Sequence, residues 1–122
     1  MRRRLGLVAA VVLVALVTPA AAPPGGRVAL AQEVAQRVLL DNERVTIVEV
    51  VFPAAFRGEE HAAVADEFAY VLDGEFVVVT RGQGRRVVRK GEVEYAAKGT
   101  IHQSLNEARR PARVLVVMLK ER

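Results

Sequence analysis

Cysteine is missing from all 122 residues. Its absence excludes a disulfide framework, a thiolate metal site, a cysteine nucleophile and a cysteine-linked lipid anchor. Tryptophan is missing as well, and histidine occurs only as His61 and His102. No Ser-His-Asp pattern stands out, so covalent hydrolase chemistry has little to work with. The chain also lacks a lasting surplus of positive charge, despite a formal net charge of +4. Arg2, Arg3, Arg4 and Arg27 are the only charged residues before Gln32, and beyond it 14 basic residues face 14 acidic ones. The basic character therefore belongs to the N-terminal segment. It supplies no basic face for nucleic acid.

That segment reads as an export signal. Met1 to Arg4 is a positive start, Leu5 to Val17 is an apolar run of 13 residues, and Thr18-Pro19 breaks it. The run suits a secretory signal and is short for a membrane span, which needs ~20 residues. Cleavage is expected after Ala31. Cleavage after Ala22 is the alternative, and it would leave Pro23 at the new terminus. An uncleaved anchor or a buried N-terminal helix are the competing structural readings. The expected organisation is a signal peptide over 1–31, a lead segment over 32–44 and one domain over 45–122. The mature chain is expected in the periplasm or outside a bacterial cell, off the membrane.

Beyond the signal the residues favour strands. Gln32 to Arg37 has weak helical character, but Val45 to Phe52 is dominated by β-branched residues, which fit a pleated surface. Phe68 to Leu72 and Glu75 to Thr80 flank Asp73-Gly74, a strong hairpin signal because the type I′ turn needs positive φ. Arg81-Gly82-Gln83-Gly84 predicts a second turn, Lys90-Gly91 and Lys98-Gly99 two more. The remaining strands are expected at 85–90, 93–96, 101–105 and 112–119. About eight short strands with turn signals every ~8–12 residues predict an all-β sandwich or barrel. Arg81 to Arg86 lacks the Lys-Ser/Thr ending of a phosphate loop and reads as a solvated hairpin tip. Phe52-Pro53-Ala54-Ala55-Phe56 reads as a loop anchored by two aromatics, a barrel mouth or a subunit contact.

The two histidines fall at telling places. His61 is followed by Ala62-Ala63, three residues, Glu67, six residues and Gly74. Gly91 is followed by five residues, Ala97-Lys98-Gly99, two residues, His102, three residues and Asn106. These spacings resemble the two motifs of the cupin family over roughly Val45 to Met118. The departures are Ala63 where a second His is usual, Ala97 where proline is usual, and Gly58 as the only glycine near the displaced first position. The resemblance implies a double-stranded β-helix, or jelly-roll barrel, with metal ligands of which His61, Glu67 and His102 survive. Two imidazoles and a carboxylate suit Fe, Mn, Zn, Ni or Cu in the divalent state. The other reading leaves the barrel metal-free, with the histidines hydrogen-bonded to Glu67 or water. Glu60 and Asp66 are candidate replacement oxygens. Phe68, Tyr70, Val71 and Phe76 are candidates for an apolar lining, although strand parity sets Phe68 and Tyr70 opposite Glu67 and Val71.

Three functions follow as expectations: a small-molecule binding module, a metal-dependent enzyme of the dioxygenase or isomerase type, or a structural barrel that dimerises. A homodimer is expected, because a mature chain of about 91 residues without disulfides buries a modest fraction of its surface and would gain stability from dimerisation or from bound metal.

Overall fold

The computed structural model describes residues 33–121. The expected signal peptide and its cleavage sites lie outside them. The described residues form nine strands: β1 (Ala35–Asp41), β2 (Val45–Phe52), β3 (His61–Ala62), β4 (Asp66–Asp73), β5 (Glu75–Thr80), β6 (Gly84–Arg89), β7 (Val93–Ala96), β8 (Ile101–Leu105) and β9 (Ala112–Leu119). They build two antiparallel sheets, ordered β1-β2-β9-β4-β7 and β3-β8-β5-β6. This is the expected jelly-roll architecture.

Alternation along the strands decides which residues meet between the sheets. In β2 the buried positions are Thr46, Val48, Val50 and Phe52, and in β9 they are Ala112, Val114, Val116 and Met118. These two strands pair along their whole length, so their buried residues form one surface. Val71, Phe76, Val78 and Val88 complete the core, together with Phe56. Each such valine contributes roughly 1.5–3 kcal/mol by leaving water.

Two expectations about local structure need correction. Gln32 to Arg37 carries no helix in its described part. Ala35 to Asp41 instead pairs with β2 as an edge strand, because β2 offers an open row of backbone donors and acceptors on that side. Asp73-Gly74 is not a hydrogen-bonded hairpin either. β4 belongs to the first sheet and β5 to the second, so Gly74 turns a corner between them. Its φ is +75°, and an added Cβ would sit 2.7 Å from the Pro111 carbonyl oxygen. Local Asp-Gly chemistry specifies the sharp reversal, while pairing partners far along the chain decide whether the flanking strands meet. Gly74→Ala is expected to cost about 1–3 kcal/mol, from left-handed backbone strain plus the close contact. Urea unfolding measures it. The Arg81–Gly84 turn does close a true hairpin, β5 to β6.

The end of the first sheet is tied by charge. Asp41 accepts hydrogen bonds from Lys120 Nζ and from Thr46 Oγ1, at 2.5 and 3.0 Å. Chiefly through Lys120, these hold the Asp41 carboxyl below its ordinary value. A lowered carboxyl stabilises the fold above the normal carboxylate range and loses that contribution as pH falls through its folded value. Asp41→Asn is therefore expected to melt earlier than the native protein at neutral pH. The gap should close as pH falls through the folded value of the Asp41 carboxyl, below the ordinary carboxylate range.

Candidate functional site

His61 and His102 are direct cross-strand partners on β3 and β8. In an antiparallel pair such residues project to the same face. Their ring centroids are 4.8 Å apart, edge to face. Glu67 comes from the opposite sheet, on β4, and meets His102 across the barrel. Its Oε1 lies 3.2 Å from His102 Nε2. The three groups that the spacing singled out thus line one cavity.

The detail of each group matters. His102 is 6% exposed, and its Nε2 is buried without a hydrogen bond of acceptable geometry, the approach of Glu67 notwithstanding. Leaving a buried polar atom unpaired costs ~1–3 kcal/mol, so the site holds a group ready for an incoming partner. His61 Nδ1 lies 3.0 Å from the Glu59 carbonyl oxygen. A carbonyl only accepts, so Nδ1 carries a proton, and in the neutral ring Nε2 is the lone-pair nitrogen.

The cavity amounts to about 60 Å³. Since one water needs ~10–15 Å³ of such space, it admits a few waters or a comparably small ligand. Phe52, Phe56, Phe76, Val78, Val114 and Val116 form its apolar walls. Phe52 and Phe56 are 5.3 Å apart between centroids and both are buried. The segment they bound is therefore a loop anchored by its aromatics, and the same rings floor the cavity.

Several sequence candidates lie elsewhere. Phe68 and Tyr70 do not line the cavity: they stand on the outer face, as parity required, and Phe68 packs on Tyr95 at 5.0 Å. Val71 is fully buried in the core, and only Phe76 of the four proposed lining residues reaches the site. Glu60 is engaged by Arg81 on the surface. Asp66 Oδ1 accepts from the Lys98 backbone N–H at 2.8 Å. Neither supplies a replacement oxygen. Ala63 is buried and donates its N–H to the Thr100 carbonyl, so the usual second histidine has no substitute at that position.

Among the lining residues that the sequence reading did not place at the site are Gly58, Ser104 and Glu94. Ser104 was recoverable by counting, since it follows His102 by two. Gly58 is where the chain passes closest to β8. Its N–H donates to the Ser104 carbonyl at 2.9 Å, and an added Cβ would lie 2.9 Å from the same oxygen.

The arrangement defines a class: a small double-sheet barrel with a polar cluster at one end of an apolar interior. The chain belongs to the cupin family, whose domain it matches over residues 48–118. Among solved structures it is similar to TT1209 from Thermus thermophilus, with 26% identity and a TM-score of 0.64 over 71% of this chain and 83% of that one. KdgF from a Halomonas species is 21% identical, with a TM-score of 0.65 over 73% of this chain and 80% of that one. The DMSP lyase DddQ from Ruegeria pomeroyi is 20% identical, with a TM-score of 0.68. It is a longer protein: the match covers 80% of this chain and 53% of DddQ. The last two likenesses concern the fold alone. No curated protein matches in sequence.

Among the described residues no three His, Cys, Asp or Glu side chains close on one point as a finished metal cage. The donor chemistry nonetheless fits a divalent ion. Two ligands of one ion, each at ~2.0–2.2 Å, stand about 3 Å apart. His102 Nε2 and Glu67 Oε1 have that separation without forming a hydrogen bond. A ligating imidazole commonly gives its other ring N–H to a carbonyl, as His61 does to Glu59.

Proposed function

We propose that this cupin binds a small molecule inside the barrel, at a divalent metal ion held by His61, Glu67 and His102. The observation that carries the reading is the buried, unpaired Nε2 of His102 beside Glu67. Such an ion would act as a Lewis acid toward a ligand oxygen. The protein's part is to hold the ligand against the phenylalanine floor and to keep bulk water from it. Ala63 leaves a coordination position open, which also favours a second reading, a metal-dependent enzyme of the dioxygenase or isomerase type. Export of the mature chain to the periplasm or beyond belongs to the same proposal and rests on residues 1–31.

The test is elemental analysis of the protein, purified without a histidine tag and incubated with Fe, Mn, Zn, Ni or Cu salts. About one ion per chain is expected for at least one of them. Binding of none of the five would overturn the metal and leave a plain apolar pocket.

We also propose that two copies associate through the outer face of the five-stranded sheet. Leu40, Ile47, Val117, Phe68 and Tyr95 occupy one row across all its strands by register. Leu115, Tyr70 and Val93 form part of the next. Val93, Tyr95, Tyr70 and Leu40 are 41–50% exposed, an apolar stretch that a lone soluble domain rarely leaves open. Light scattering is expected to give twice the chain mass, falling to the monomer for Val117→Lys.

A further inference from the structure

One wall of the cavity carries a charge that the metal reading does not use. Glu94 sits on β7 directly opposite Ala69 of β4, while Ala96, two residues on, sits opposite Glu67. Glu94 and Glu67 are therefore diagonal neighbours on the inner face of adjacent strands, a spacing of ~7–8 Å. The residues filling the other two corners of that square are alanines, so the space between the carboxylates stays open. All four line the cavity.

Glu94 is only 16% exposed at its side chain. Arg86, on β6 of the other sheet and 49% exposed, donates Nη1 to Glu94 Oε2 and, at 3.0 Å, to the Val93 carbonyl. The Arg86 contacts go to Glu94 Oε2 and the Val93 carbonyl and do not use Glu94 Oε1. Stability is a poor explanation for the pair. An ion pair this open is worth ~0–1 kcal/mol, and an inward position of an otherwise apolar strand is better served by Val or Leu. Arg86 does two things to Glu94. It fixes the carboxylate by one oxygen, and it offsets the charge, so that the pair as a whole is neutral.

We propose that Glu94, positioned by Arg86, is the residue that selects the ligand, and that it takes a small molecule bearing a neutral hydroxyl. Oε1, which Arg86 does not engage, accepts a hydrogen bond from the hydroxyl at one end of the cavity, while the ligand's other polar end faces Glu67 and the imidazoles. A neutral pair favours hydroxyl over ammonium, because a cation would meet Arg86 as well as Glu94. The inference rests on the small-molecule reading above and names the chemistry of its ligand.

Three probes of equal chain length test it: propionate, 3-hydroxypropionate and β-alanine, titrated into ¹⁵N-labelled, Zn(II)-supplemented protein and followed by amide shifts. The native protein is expected to bind 3-hydroxypropionate about 10-fold more tightly than propionate, the worth of one hydrogen bond to a charged acceptor, and more tightly than β-alanine. Glu94→Leu should abolish that preference. Glu94→Gln, which keeps a carbonyl acceptor, should retain part of it, and the spectra themselves report that each variant is folded. Equal binding of propionate and 3-hydroxypropionate by native protein overturns the role of Glu94 alone. So does a preference that survives Glu94→Leu, or tighter binding of β-alanine. Absence of any shift with all three probes overturns the small-molecule reading together with this one.

Discussion

His102→Ala is expected to weaken Zn(II) binding at least about 100-fold, close to 3 kcal/mol, and to leave the barrel folded. The imidazole is one of two nitrogen donors in a three-donor set, and no other imidazole is at hand to replace it. Ala63 has nothing to coordinate with, Asp66 is occupied by the Lys98 N–H, and Glu60 is held outside by Arg81. The fold survives because the imidazole is not part of the apolar cluster that joins the sheets. Its Nε2 also has no hydrogen bond to lose. Competition against a chromophoric chelator gives the affinity, and a melting curve of the metal-free variant gives the fold. Unchanged affinity in the variant would remove His102 from the site.

Asn106→Ala should produce the opposite pattern: the cavity residues stay intact and the fold fails. Asn106 is fully buried. Its Nδ2 donates to the carbonyls of Phe52, Pro53 and Arg110 at 3.2, 3.1 and 2.9 Å. Its Oδ1 accepts from the Ala108 N–H at 3.1 Å. One side chain thus ties the end of β2 to the loop that leads into β9. Alanine strands several of these backbone groups away from water, each at ~1–3 kcal/mol, so a loss of about 3–5 kcal/mol is expected. For a domain of this size 1 kcal/mol moves the melting temperature by roughly 4–8 °C, so the variant should melt at least about 12 °C below the native protein. Asn106→Asp is expected to fail similarly, because it keeps the acceptor and loses the donors. A loss under about 1 kcal/mol would mean that the loop holds itself.

The strands were legible because their determinants are local. Val45 to Phe52 is dominated by β-branched residues, and Ala112 to Leu119 is a largely apolar run set off by Pro111. The motif spacing also put His61, Glu67 and His102 in one cavity, although they come from different sheets. What failed was pairing. Nothing near Asp73-Gly74 says that β5 will prefer β6 and β8 over β4. Nothing in Gln32 to Arg37 says that an edge of β2 awaits it. Asn106 was visible only as a motif position, because its role depends on carbonyls at the far end of β2, Phe52 and Pro53, that the local sequence does not name. Glu94 went unnoticed for a different reason. Charged residues on a strand normally face water, and only the register with Ala69 turns this one inward.

The proposed site requires two imidazoles and one carboxylate to share a single ion. X-ray absorption at the zinc edge of stoichiometrically loaded native protein measures this directly. Two imidazole shells and one carboxylate oxygen near ~2.0–2.2 Å are predicted, with one imidazole lost in His61→Ala. A spectrum with no imidazole contribution, or one unchanged in His61→Ala, would contradict it.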